Sequence, residues 1–295
     1  MAMHEQQMTK AENLMAEAEA KLNSSGGACC GGGRTTAKEE EACDLYVKAA
    51  NAFKMAKEWH KAGNAFAEAA SIQQKNERQT EAGRHYIEAA KCYKKTSPNE
   101  CEECLTKASE LYDSVGRGKT AAKQHLTLAE LHEEQGNLKK AVDEYQKAAD
   151  MFQAEELTSS VTKCLTNVAN HGASLGQYQR AEEIFVQLGT EALNNKLLKY
   201  TACEHFAKAG LCYLVANPQD GDGLLGKIAE MRETSPAFDE SRECVWLIKM
   251  AEAVKKDDVD AFNDAIRSYE SVTRLTSWHN DLLKNIRRNL GPDLR

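Results

Sequence analysis

Four aromatic residues set the frame of this chain, because each opens the same short phrase. Tyr46, Phe66 and Tyr86 stand twenty residues apart, and each is followed three and four positions later by a pair of alanines. Tyr145-Gln146-Lys147-Ala148-Ala149 is a fourth copy. A longer pattern, Gly136-x-Leu138-x-x-Ala141-x-x-x-Tyr145, returns forty residues on as Gly176-x-Tyr178-x-x-Ala181-x-x-x-Phe185. A bulky ring one helical turn from two small residues lets a second helix approach closely. Twenty residues make one helix and a turn, so forty make a helical hairpin. Such hairpins cannot bury their apolar faces alone and stack into a solenoid.

Composition agrees with an almost wholly helical chain. Of 295 residues only four are proline and 28% are charged, and no run of β-branched and aromatic residues alternates at period two. A net charge of −7 argues against a general nucleic-acid binder. No stretch approaches the ~20 apolar residues of a membrane span. The start, Met1-Ala2-Met3-His4-Glu5, has no signal-peptide apolar core, so a cytoplasmic protein is expected.

Residues 4–22 read as an amphipathic helix with Met8, Ala11, Met15, Ala18 and Leu22 on one stripe. A Gly-rich excursion follows, giving a flexible loop over 23–37, and helices resume near Glu39. Gly116, Gly136 and Gly176 mark helix ends, where a positive φ favours glycine. Ser97-Pro98-Asn99-Glu100 reads as a capping box with proline at the first helical position. After the break at Asn217-Pro218-Gln219-Asp220-Gly221, the repeated phrase gives way to bulkier residues such as Trp246, Phe262 and Trp278. The expected division is a solenoid over 1–225 and a C-terminal helical bundle over 226–295.

Several catalytic-looking fragments fail on inspection. Gly118-Lys119-Thr120 lacks the glycine of a phosphate loop at Asp113, and a helix rather than a strand leads into it. His132-Glu133 begins like a zinc-protease helix, but Gly136 stands where the second histidine belongs. Cys101-Glu102-Glu103-Cys104 has no second pair at zinc spacing. The ten cysteines read as reduced, mostly buried thiols. No enzyme activity, cofactor or metal is expected.

The segment Tyr46-Val47-Lys48-Ala49-Ala50-Asn51-Ala52-Phe53-Lys54-Met55-Ala56-Lys57-Glu58-Trp59, followed by Ala62-Gly63-Asn64-Ala65-Phe66, closely resembles the soluble attachment proteins of the alpha-SNAP family. Gln177-Tyr178-Gln179-Arg180-Ala181, Leu197-Leu198-Lys199-Tyr200, Ser241-Arg242-Glu243-Cys244 and the terminal Asp293-Leu294-Arg295 continue the match in order. The resemblance implies an all-α fold, a twisted solenoid of antiparallel helical hairpins like tetratricopeptide (TPR) repeats, closed by a helical bundle. It also implies an adaptor that coats the four-helix SNARE bundle left after membrane fusion, several copies to each complex. The adaptor recruits a hexameric AAA+ ATPase, the N-ethylmaleimide-sensitive factor (NSF), which pulls the bundle apart.

Carried over residue by residue, the resemblance assigns SNARE contact to Lys57, Lys95, Arg117, Lys123, Lys163 and Arg242. It assigns contact with the ATPase to Glu252 and Asp293, and stimulation of hydrolysis to Leu294. Asn167 and Cys203 stand where relatives often carry lysine. Lys255 and Lys256 stand where relatives are acidic. Relatives carry phenylalanines in the loop after the first helix; here Cys29 and Cys30 stand in a loop without aromatics. These cysteines are candidates for acylation at a weak, peripheral membrane contact through residues 24–34. A rival reading is a TPR-type cochaperone or scaffold that clamps a peptide tail.

Overall fold

The computed structural model describes residues 2–23 and 32–290, and all regular structure among them is helical. Two compact units are present, Met1–Val161 and Thr162–Arg295.

In the first unit, α1 (Ala2–Asn23) packs on α2 (Gly32–Met55), which starts earlier than the expected resumption near Glu39. Nothing from Arg34 to Glu41 breaks a helix, and Ala37-Lys38-Glu39-Glu40 are strong formers, so the helix extends backwards. There follow α3 (Trp59–Lys75), α4 (Gln79–Tyr93), α5 (Pro98–Ser114), α6 (Gly118–Glu134) and α7 (Leu138–Ala154). Each packs on the next, up and down. The expected stripe of α1 is turned inward, with Ala11 and Ala18 fully buried.

The repeated phrase forms the core. Tyr46, Phe66, Tyr86 and Tyr145 are each at most 5% exposed, and their alanine pairs are closed to solvent. Burial of each ring contributes about 2 kcal/mol. The phenols that reach the edge find partners at a repeated offset. The Tyr86 hydroxyl donates to Gln74 Oε1 at 3.1 Å and that of Tyr145 to Glu133 Oε2 at 2.7 Å, twelve residues back in each case.

The turns repeat as well. Lys57, Glu77, Gly116, Gly136, Glu156 and Gly176 all have φ between 56° and 83°. At each, the next residue's N–H reaches back over the turn: Glu58 to Phe53 O, Arg117 to Tyr112 O and Leu157 to Phe152 O, all within 2.9 Å. This is the left-handed helix end foreseen for the three glycines, and it satisfies carbonyls that the helix leaves open. The capping box is corrected: Ser97 is the residue before α5 and Pro98 opens it, but the Ser97 side chain accepts no capping bond.

In the second unit the later part of α8 (Thr158–Ser174) precedes α9 (Tyr178–Ala192), a short 3-10 turn at Lys196–Leu198 and α10 (Lys199–Ala216). Then come α11 (Gly221–Thr234), α12 (Pro236–Asp239), α13 (Arg242–Lys255), α14 (Val259–Glu270) and α15 (Ser277–Arg288). Helix α10 is apolar nearly all round and packs on α9, α11, α12, α13 and α15, as such a helix must. Asp220 ends the break foreseen at Asn217–Gly221 by accepting the Gly223 N–H at 2.8 Å. The Trp278 indole N–H donates to Asn170 O at 3.1 Å, and its ring meets the Phe185 ring edge-on at 5.8 Å.

Candidate functional site

The expected SNARE-contacting cations are all exposed, but within the first unit the fold does not gather Lys57, Lys95, Arg117 and Lys123 at one point. Lys57 sits in the α2–α3 turn with φ 60°. Lys95 lies just beyond α4, with its Nζ 3.6 Å from the centroid of the Trp59 ring. The α2–α3 and α4–α5 turns share one edge of the antiparallel stack, so Lys57, Trp59 and Lys95 form a group. Arg117 precedes α6 in the α5–α6 turn, on the opposite edge. Lys123 lies further along α6, exposed between the buried Ala122 and Gln124. In the second unit Lys163 is exposed on α8, and Arg242 opens α13.

The departures from the family pattern have structural readings. Cys203 is 2% exposed, and its thiol lies 3.2 Å from Lys199 O and 3.6 Å from Ala237 O. Burial pushes it above the ordinary thiol range. It therefore serves packing of α10 on α12 and offers nothing to a partner. Asn167 on α8 is half-buried. Lys255, the apparent charge reversal, is ion-paired with Asp222 across α11 and α13 at 2.6 Å. The carboxylate neutralises that lysine locally. Asp258 accepts the Ala261 N–H at 2.9 Å and so caps α14. Glu252, the expected ATPase contact, is exposed on α13.

Cys29, Cys30, Asp293 and Leu294 lie outside the described residues. Of the paired cysteines, Cys101 and Cys104 are buried; burial pushes their thiols up to about 11 and about 12, so both stay protonated at neutral pH.

One feature escaped the reading of residues one by one. Leu197 is 87% exposed, Leu198 41% and Tyr200 77%, with Lys199 Nζ 5.1 Å from the Tyr200 ring centroid. Large apolar side chains grouped in the open on a monomer mark a contact surface. The signal was available in Leu197-Leu198-Lys199-Tyr200, two leucines and a tyrosine at a helix start rather than within a helix's inner stripe.

Antiparallel hairpins that carry exposed cations, with an apolar cluster in the open at the start of α10, define a helical-repeat binding protein. Comparison with known proteins makes this specific. The sequence matches the family model described as "Soluble NSF attachment protein, SNAP" over residues 9–291. It is 40% identical to the beta-soluble NSF attachment protein of Bos taurus, covering 96% of this chain and 95% of that one. It is 39% identical to the alpha-soluble NSF attachment protein of Mus musculus, covering 95% and 94%. The vesicular-fusion protein SEC17 of Komagataella phaffii is 31% identical, covering 96% of each. The chain belongs to the soluble NSF attachment protein family.

Proposed function

We propose that this chain is a SNAP adaptor that binds assembled SNARE complexes and recruits and stimulates NSF, which disassembles them after membrane fusion. The match to family members along nearly the whole chain carries this reading. Several copies surround one SNARE bundle, and the ATPase acts as a hexamer. Lys57, Lys95, Arg117, Lys123, Lys163 and Arg242 meet acidic side chains of the bundle. A lysine suits such a surface because its long stem adapts to a rod without demanding one geometry. Charge complementarity of this kind sets on-rate and register more than raw affinity. The exposed Leu197 and Tyr200 add apolar contact on the second unit. Glu252, Asp293 and Leu294 face the ATPase.

Among the described residues no helix is long and apolar enough to cross a membrane. Membrane contact is peripheral, through residues 24–34 with Cys29 and Cys30, and the protein works at the cytoplasmic side. The decisive experiment adds the protein to purified NSF, ATP and a soluble SNARE complex. Disassembly that depends on the chain is expected. Equal disassembly without it, or capture of isolated peptide tails in place of assembled bundles, would count for the peptide-clamp alternative.

A further inference from the structure

The α13–α14 hairpin is open along one side. A cavity of about 280 Å3 lies between the two helices, walled by Val245, Trp246, Ala265, Tyr269 and Val272. A second, of about 410 Å3, continues it past Ala253 and Ala261. Lys249, Ala265 and Ser268 border both, so the two form one groove running the length of the hairpin.

Its floor is apolar and partly bare: Val245 is 49% exposed and Val272 68%. The Trp246 ring stacks on Tyr269 at 4.2 Å, 9° from parallel, which makes a flat, stiff wall. The Trp246 Nε1–H is buried without an acceptor. An indole donor left unpaired inside a wall is uncommon and asks for an explanation.

The rim of the groove is patterned by charge. Arg242, Lys249 and Lys256 stand seven residues apart along α13 and at its end, and all three are exposed. None has an ion-pair partner among the described residues. Seven residues are two helical turns, so the three cations form a stripe with steps of about 10 Å. Across the groove, α14 presents Asp258 and Asp264, the latter already held by Arg267 at 2.5 Å. Glu240 and Glu252 interrupt the basic edge, but three cations outnumber the two carboxylates. One edge is therefore mainly basic, the other acidic, with an apolar floor between.

We propose that this groove docks a single amphipathic helix from a partner protein, with heptad-spaced carboxylates on one flank and basic residues on the other. Its apolar stripe covers Val245, Trp246, Ala265 and Val272, as a third helix completes a bundle. Its acidic flank follows Arg242, Lys249 and Lys256, and its basic flank follows Asp258 and Asp264. The pattern also sets the occupant's orientation, because turning the helix over puts like charges together on both edges. Arg242 and Glu252, which the SNARE-adaptor reading gives to other contacts, also border this groove, so the variants that test it are at Val245, Lys249 and Lys256, which that reading does not use.

The test titrates the full chain with a synthetic helical peptide of about 20 residues. The peptide carries Glu at every seventh position, Leu three and four places later, and Lys on the opposite flank. A second peptide of the same composition, with Glu and Lys alternating along each flank so that neither orientation matches the rim, is the control. Saturable binding of the first peptide and at least about tenfold weaker binding of the second are expected. Lys249→Glu with Lys256→Glu should cost about tenfold or more, and so should Val245→Asp; all three positions are exposed, and circular dichroism checks that helicity is kept. No saturable binding, or equal affinity for both peptides, overturns the proposal. So does a concentration-dependent dimer of the chain abolished by Val245→Asp, which would make a second copy the occupant.

Discussion

Gly63 on α3 lies beneath the ring of Tyr93 at the end of α4, so close that a Cβ on Gly63 would fall 2.6 Å from Tyr93 Cε1. The same relation recurs one step along, where a Cβ on Gly83 would meet Tyr112 Cε2 at 2.9 Å. The stack therefore closes by glycine against tyrosine as well as by alanine against alanine. Tyr93 cannot swing away freely, because its hydroxyl donates to Asn64 Oδ1 at 2.6 Å. Gly63→Val should lose about 1–3 kcal/mol, despite valine's smaller backbone entropy cost, because the added methyls meet a held ring. Urea denaturation of the purified variant measures this, and unchanged stability would show that the ring moves.

Glu77 and Glu156 occupy left-handed turn positions, at φ 59° and 56°, where Gly116, Gly136 and Gly176 stand elsewhere in the array. A side chain at such an angle crowds its own carbonyl. Glu77→Gly and Glu156→Gly should each stabilise the fold by about 0.5–1 kcal/mol, the relief of strain exceeding glycine's greater freedom when unfolded. Gly136→Ala, the reverse change at an equivalent turn, should destabilise by a similar amount. Thermal melts of the three variants provide the comparison. A fall in melting temperature for both glutamate variants would show that these side chains stabilise their turns by other means.

These two relationships explain how much the sequence disclosed. The aromatic-x-x-Ala-Ala phrase and the turn glycines carry the geometry of close helix packing, so the solenoid could be read from them. The positive φ of Lys57, Glu77 and Glu156 could not be read, because local preference points away from that conformation and the array imposes it. The site was legible only as a set of exposed cations. Up-and-down topology separates Arg117 from Lys57 and Lys95, although the three look alike in sequence. Lys255 reads as a departure until Asp222, 33 residues earlier, is seen beside it. Exposure of Leu197 and Tyr200 depends on what packs around the start of α10, which no local pattern states.

Acid should weaken the second unit through His205. This side chain is 4% exposed, stacks on Phe185 and has no acceptor or donor on either ring nitrogen. Burial, and secondarily the Lys208 ammonium, push it down to about 4, against a partial opposing pull from Glu204. Above pH 6.5 the ring is neutral in folded and unfolded chains alike, and stability does not depend on it. Between 6.5 and about 4 the unfolded chain takes the proton first, so stability falls as pH falls through that window. The loss attributable to His205 reaches roughly 2 kcal/mol near pH 5. His205→Leu should flatten the decline between about pH 7 and pH 5 in urea titrations. An unaltered slope would remove His205 as the cause.

Charge reversal tests the basic surface. Lys123→Glu with Lys163→Glu should reduce binding to assembled SNARE complexes by more than about a hundredfold, since attraction becomes repulsion at two places. Both positions are exposed, so helicity and melting temperature should be kept. Pull-down at physiological salt reads the effect, and the remaining affinity should depend less on ionic strength than that of the unaltered chain. Undiminished capture would remove these two lysines from the interface.

A substitution at Leu294 is expected to separate recruitment of the ATPase from its stimulation. Gly291-Pro292 disfavours continuation of α15, since the residue before a proline is biased away from helical angles. The proposed role of Leu294 rests on its place in the terminal Asp293-Leu294-Arg295, where the family resemblance assigns stimulation of hydrolysis. The cations proposed to hold the SNARE bundle and the Glu252 carboxylate lie elsewhere in the chain. Leu294→Ala should therefore bind SNARE complexes and still bring NSF to them. It should fail to raise ATP hydrolysis or to release the SNAREs, and added in excess it should inhibit the unaltered protein by occupying the same complexes. Both steps are measurable in one purified system, by sedimentation of the assembly and by phosphate release. Normal stimulation of hydrolysis by Leu294→Ala would take this residue out of the coupling step and leave recruitment as the adaptor's whole contribution.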